Sequence, residues 1–529
     1  MNRSGAVDVG IPRAALWVLA GLALARPAAA QGPDYASPPG TETLVSGPVH
    51  EAFASPLIYD PRPTALVPKP PPQPIQEVPP DQKPVGANVQ WIPGYWAWDD
   101  SRNDFLWISG LWREPPPGRQ WVPGYWTQAQ GGYQWVPGAW VPLDPNAADP
   151  NSNAQYLPTP PDSLEAGPNA PAPGPEYSWS PGYWQWMGGN YAWRPGFWVQ
   201  AQPNWSWSPA HYNWTPNGSL FVDGYWDRPV QTRGTLFAPV YFQQPVYRQP
   251  GYSYTPGLSI LAGSLLSNLF VRPSYGQYYY GNYYAQNNFQ QGYYPAFAFH
   301  QSRYGYDPIY AHDAALNGGN PGWSNGLRDD YLYRRDHVEA RPPTTFLQQQ
   351  TMVQRNTTIN NTNVNNTNIS SVTRNNFLMA RPIDHIAAGP NPAVRYEAVA
   401  AQRRQEYAQQ SAAVGRLGEQ RFRQEGEAAR ARPASAPIAP QRLDLPPSPI
   451  AHQAENRPVA APPQRPSIPA PQPEIRPRPA EAPHPRPEPH PEARQFGPGH
   501  PGFTPQGEPH AQPAHERPVA RPEPGRRGK

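Results

Sequence analysis

Trp91-Ile92-Pro93-Gly94-Tyr95-Trp96 is a short phrase that this chain repeats. Close copies occupy residues 121–126, 135–140 (Ala139 in the Tyr place), 179–184 and 193–198 (Phe197 in that place). Weaker copies occupy 107–112, which keeps Gly110, 207–212, and 221–226, which keeps Gly224. Copies begin at 91, 107, 121 and 135, then at 179, 193, 207 and 221, so after the first step each cluster has a period of 14. A fixed period of this kind marks an internal repeat. Of the 20 Trp in the chain, 18 lie in these two clusters, which makes them the natural folded modules.

The repeat positions are Trp91, Gly94, Trp96, Trp107, Gly110, Trp112, Trp121, Gly124, Trp126, Trp135, Gly138 and Trp140 in the first cluster. In the second they are Trp179, Gly182, Trp184, Trp193, Gly196, Trp198, Gly224 and Trp226. Aromatic residues favour strands. The two Trp of one copy are five residues apart, so an unbroken strand would place them on opposite faces. Pro93 cannot donate to a ladder and Gly94 tolerates positive φ; together they predict a bulge that returns both Trp to one face. Turn signals at Gly188-Gly189-Asn190, Pro203-Asn204 and Asn217-Gly218 share the 14-residue spacing. One strand and one turn per period then give an antiparallel meander. The competing reading is a type II turn at each Pro-Gly, with two shorter strands per period.

These residues resemble the WXXGXW (YXWGXW) repeat family of secreted bacterial proteins. The resemblance covers about a quarter of the chain and implies a repeat module and export, with no reaction attached.

The rest of the sequence sets the frame. The fold class expected is mainly β: two small antiparallel aromatic-repeat modules at 88–142 and 177–228, short helices after them, and extensive disorder at both ends. Eighty Pro and 44 Gly in 529 residues, at a mean hydropathy of -0.74, support long unstructured tracts. With no Cys, disulfides, thiolate metal sites and a catalytic cysteine are excluded. Arg3 and Arg13 precede an apolar run at 14–25 and the small residues Ala28-Ala29-Ala30, the layout of a signal peptide over 1–30. No transmembrane span is expected after its cleavage, and the location expected is secreted, periplasmic or cell envelope.

Residues 31–87 and 143–176 read as Pro-rich linkers, the first of them disordered, and 432–529 as a disordered tail. Residues 229–311 are Tyr-rich, and within them 257–271 has helical apolar spacing at Leu258, Leu261, Leu265 and Leu269. That helix is expected to dock on the Trp modules, with a membrane-surface position as the sharper alternative. Residues 312–393 read as mixed helix, with a candidate at 327–341, and an Asn/Thr tract whose apolar residues recur every five positions without a physical account. Residues 394–431 form a charged helix with a weak heptad seam at Ala400, Tyr407, Val414 and Arg421, enough for a partner.

No catalytic, metal or cofactor site is predicted. The chain has no Gly-Xaa-Ser-Xaa-Gly elbow, His-Glu-Xaa-Xaa-His helix or phosphate-binding glycine loop. Asp99, Asp100, Asn103 and Asp104 gather in one turn that reads as a solvated loop more readily than a Ca²⁺ site. Between 91 and 226 four Arg face ten Asp and Glu with no Lys, so phosphate backbones are repelled and nucleic acid is not expected as a partner. Exposed aromatic faces would suit glycan stacking, yet a module that folds cannot spare most of its Trp. If a ligand face exists, Tyr95, Tyr125, Tyr183 and Phe197, between Gly and Trp, are the residues that would face it. The function expected is an exported, non-enzymatic structural or interaction protein of the cell envelope, self-associating or binding another envelope protein. The alternative is a module that binds cell-wall glycan by stacking.

Overall fold

The computed structural model describes residues 35–143, 155–318, 320–362, 377–389, 394–433, 438–452, 463–464, 466–467 and 469–470. The segment expected as a signal peptide, part of the Asn/Thr tract and the tail beyond 470 lie outside the described residues. The fold is mainly β, built of many small antiparallel sheets. Repeat copies pair two by two into four hairpins, rather than running on as a meander.

In the first hairpin, Gln90–Ile92 and Tyr95–Asp99 lie opposite Leu111–Arg113 and Asp104–Ile108. Trp91 faces Trp112 and Trp96 faces Trp107, so one register runs through both ladders. The interruption at Pro93-Gly94 is matched by one at Ser109-Gly110. Because both strands break for two residues together, no residue is inserted, and this neck is neither a bulge nor a type II turn. The same register joins Trp121 to Trp140 and Trp126 to Trp135, Trp179 to Trp198 and Trp184 to Trp193, then Trp207 to Trp226 and Tyr212 to Phe221. Each hairpin is thus two copies running antiparallel around a local two-fold. Gly188-Gly189, both at positive φ, closes the third hairpin as the turn chemistry requires. Pro203-Asn204 lies between hairpins instead.

Segments expected as linkers are part of the structure. Thr41–Thr43 pairs with Val240–Phe242, Gly47–Pro48 with the Tyr-rich strand Gln277–Tyr280, and Gln82–Pro84 with Tyr396–Ala398. In the second linker, Gln155–Leu157 pairs with Gly218–Val222 of the fourth hairpin. Proline suits these positions because short edge strands leave its missing N–H unneeded. The expected apolar helix at 257–271 is helical only in its middle: Ala262–Leu265 is one α turn, continued by a 3-10 turn at Leu266–Asn268, and the strands Leu258–Ile260 and Leu269–Arg272 flank it. Leu258, Leu265, Leu269 and Val271 lie in the central core with Val45, Phe53, Trp121 and Tyr278, so pairing and burial confine the helix to the middle of the segment. The expected helix at 327–341 begins earlier, as Pro321–Asp336.

The charged helix, Ala401–Ala431, finds its partner within the chain. Tyr407 packs edge-on against Trp112, and Tyr407, Val414, Leu417 and Arg421 are buried. Part of the expected tail is packed as well: Ile450 is fully buried, and its carbonyl accepts from Trp121 N–H at 2.8 Å. The two repeat clusters pack together through buried ion pairs, Arg113 with Asp227 at 2.6 Å and Arg119 with Asp223 at 2.5 Å.

Candidate functional site

The recurring site is the neck, and the glycine repeated there is explained by space. A Cβ on Gly110 would lie 2.5 Å from Trp91 Cζ2, and one on Gly182 2.5 Å from Trp193 Cζ2. Gly94 and Gly124 sit under Trp107 and Trp135, Gly138 and Gly196 under Trp121 and Trp179, and Gly224 under Trp207. None of these seven glycines has positive φ, so the conformational role expected for Gly94 is absent. The first Trp of one copy lies across the glycine of the other. In the fourth hairpin Ala210 takes the glycine place, and the ring packed near it is the smaller Phe221.

Closing the strands this tightly leaves backbone N–H groups pointing into the neck, and a carboxylate fills it. Glu77 accepts from Gly94 N–H at 2.9 Å, Gly110 N–H at 3.0 Å and Trp107 Nε1 at 2.7 Å. Glu51 accepts from Gly124 N–H at 3.3 Å, Gly138 N–H at 3.1 Å and Trp135 Nε1 at 3.0 Å. Glu165 accepts from Gly182 N–H and Trp179 Nε1. All three glutamates come from the proline-rich linkers. Burial pushes the Glu51 and Glu77 carboxyls up to about 7, and the N–H donors oppose the rise. His50, whose Nε2 donates to Pro93 O and whose Nδ1 accepts from Ala52 N–H, is pushed down to about 4 by burial.

The second neck is also held from its carbonyl side. Arg421 Nη1 donates to Pro123 O at 3.0 Å and Pro137 O at 2.9 Å, the two symmetric prolines of that hairpin. Its Nε pairs with the fully buried Glu425 at 2.7 Å, which in turn accepts from Tyr156 Oη at 2.6 Å and from Tyr125 Oη.

The last aromatic of each copy does something different: it donates to a backbone carbonyl. Trp96 donates to Gln73 O, Trp112 to Gln82 O, Trp140 to Ala52 O, Trp184 to Asp162 O, Trp198 to Ala170 O and Trp226 to Gln464 O. Trp126 donates to Trp96 O and Tyr212 to Trp184 O, joining the hairpins of each cluster by the same bond. A proline-rich strap carries free carbonyls and few competing donors, and an indole N–H is a donor alone.

The residues expected on a ligand face are engaged in packing. Tyr95 stacks on Trp135 at 4.8 Å between centroids and bonds Gln277, and Tyr125 is buried against the 401–431 helix. Tyr183 stacks on Phe221, while Phe197 is half-buried beside Val199 and Trp207. Asp100 of the acidic turn is bonded to Trp98, Arg272 and Tyr275, and Asp99 to Arg102, so local donors and cations occupy those carboxylates. Among the described residues no group of three metal-ligating side chains is gathered, and no helix is long and apolar enough to cross a membrane.

Sequence reasoning missed Glu51, Glu77 and Glu165. Their signal was isolation: Glu51 is the one charge between Glu42 and Asp60, Glu77 between Lys69 and Asp81, and Glu165 between Asp162 and Glu176. Arg421 and Glu425 were legible only as an i,i+4 pair on a helix.

The family described as the WXXGXW repeat, in two copies, matches residues 88–113, 121–141, 174–199 and 203–226. Comparison with curated proteins gave no match, and comparison with solved structures gave none.

Proposed function

With residues 88–226 carrying the WXXGXW repeat of that family, we propose that this protein is an exported, non-enzymatic structural or interaction protein of the cell envelope. The observation that supports this reading is how the repeat spends its aromatic residues. Facing Trp pack against each other, as Trp91 and Trp112 do at 5.1 Å and Trp184 and Trp193 at 5.3 Å. The final aromatic of every copy donates to a carbonyl of the chain itself. The repeat is a device for holding proline-rich chain in place, which suits a scaffold. The signal-peptide layout at 1–30 supports export, and the negative balance of the repeats argues against nucleic acid.

Cell fractionation tests the location, with the full chain expected in the envelope or medium. Incubating the full chain with insoluble peptidoglycan and polysaccharide tests the role. Light scattering that rises with protein concentration, without glycan retention, is the expected outcome. Retention that competing soluble sugar removes would replace the scaffold with a glycan-binding protein.

A further inference from the structure

Two guanidiniums share one carboxylate where the two repeat clusters meet. Arg113 ends a strand of the first hairpin, and Asp227 ends a strand of the fourth. Arg113 Nη2 donates to Asp227 Oδ2 at 2.6 Å, and Arg233 Nη2 lies 3.3 Å from the same oxygen. The other Asp227 oxygen accepts from Arg228 N–H at 2.8 Å. Among the described residues no second carboxylate is within ion-pair distance of either guanidinium. The neighbouring charges balance among themselves, Arg119 with Asp223 and Arg228 with Glu114. One positive charge is therefore left over, on side chains only 1% and 6% exposed. A guanidinium does not escape by losing its proton, and a buried charge without a counter-charge is costly.

Both arginines line a cavity of about 50 Å³ between the clusters, closed by the strap at 51–57 and by the start of the helix Pro308–Leu316. Ser206 and Ser208, alternate residues of one strand, share its wall with Asn213 and Tyr225 and bring hydroxyl and amide donors. The other titratable groups there are engaged or neutral. Glu51 spends both oxygens on the second neck, and the cation that acts on its carboxyl is Arg421. Burial pushes His211 down to about 4, and Asp307 is bonded to the first N–H groups of its own helix. Arg233 gives Nε to Arg228 O and Nη1 to Phe53 O, leaving Nη2 with the Asp227 contact alone. Burial, and Arg113 beside it, push the Arg233 guanidinium below its ordinary value despite Asp227, as befits a cation short of counter-charge.

We propose that this cavity binds a small monovalent anion of chloride size, which completes the junction between the two repeat clusters. At about 10–15 Å³ for each water, the space admits such an ion with one or two waters and excludes a sugar ring. The site does not depend on the scaffold reading.

Urea unfolding of the full chain at fixed ionic strength, with sodium chloride replacing sodium gluconate, tests the site. Gluconate is too large to enter the cavity. The folded chain should gain stability with chloride, by about 1.4 kcal/mol for each tenfold increase once the site fills. Arg233→Met removes the excess charge and should flatten that dependence. Ser208→Val narrows the cavity with both arginines kept, and should flatten it as well. Arg228→Met takes the same charge from the pair with Glu114, outside the cavity wall, and should keep the wild-type slope. Circular dichroism establishes that each variant is folded before it is titrated, and Ser208→Val carries the test if Arg233→Met is not. A wild-type slope no steeper than that of the cavity variants would overturn the proposal, leaving water in the cavity and chloride acting on the surface. Flattening by Arg228→Met to the same degree would overturn it too, because net charge alone would then explain the effect.

Discussion

Replacing Gly110 with Ala tests the neck most sharply. The new methyl would lie 2.5 Å from Trp91 Cζ2 and 2.6 Å from both Glu77 Oε2 and Ile92 O. The ring must leave its place across the neck, and the carboxylate must retreat from Gly110 N–H. Overpacking a dense core costs about 1–3 kcal/mol, and a hydrogen bond to a buried carboxylate adds about 1.5–3. Gly110→Ala should therefore cost about 3–5 kcal/mol. The fourth hairpin, with Ala210 beside Phe221, points to the cure, which is a smaller ring across the substituted glycine. Trp91→Phe alone loses buried surface but no indole hydrogen bond, since Trp91 Nε1 has no hydrogen-bond partner. The double variant should then be at least about 1 kcal/mol more stable than the sum of the singles predicts. Urea unfolding of the full chain, followed by circular dichroism, measures all four corners of the cycle. Additive losses would show that ring and glycine do not share the space and would refute the reasoning.

Two further perturbations follow from the buried charges. Both Glu77 oxygens accept N–H groups, so Glu77→Gln turns an amide donor onto a donor and should cost about 1–3 kcal/mol by urea unfolding. Its folded pKa, near 7, lies above the ordinary 4.5, so the stability linked to its protonation is full below pH 4.5 and is lost as pH rises through 7. The gap between wild type and Glu77→Gln should accordingly narrow from pH 5 to pH 8, by up to about 3 kcal/mol; a gap that widens contradicts this. Arg421→Ala strands Glu425 in the core and should cost about 3–5 kcal/mol, with limited proteolysis then cutting within 401–431; an uncut helix would show that Arg421 does not hold it.

How much of this could be read from residues alone depends on the range of the interaction. The repeat, its β character and the helix over 401–431 are local: aromatic alternation and a proline-free run state them directly. The pairing of copies is nonlocal, yet Trp91 facing Trp112 follows once two antiparallel copies share a neck. The strap glutamates were missed despite their isolation, because composition rules judge Pro-rich chain by its own capacity to bury surface. Residues around Glu51 and Glu77 order on surface supplied by the hairpins. Tyr95 and Tyr125 were misplaced for the same reason, since the layers that cover them come from 135 and from 401–431. Leu258 and Leu269 show the converse, a short helical period overruled by partners at 380–382 and 277–280.

The claim that linker and repeat form one structure is tested most directly by comparing the fragment 88–228 with the full chain, using Trp emission and acrylamide quenching. The fragment lacks Glu51, Glu77 and three of the carbonyls that the first cluster's indoles bond. Its Trp should be red-shifted and readily quenched, while those of the full chain stay shielded. A fragment whose Trp are as blue and as protected as those of the full chain would contradict the account, because the repeats would then fold without their straps.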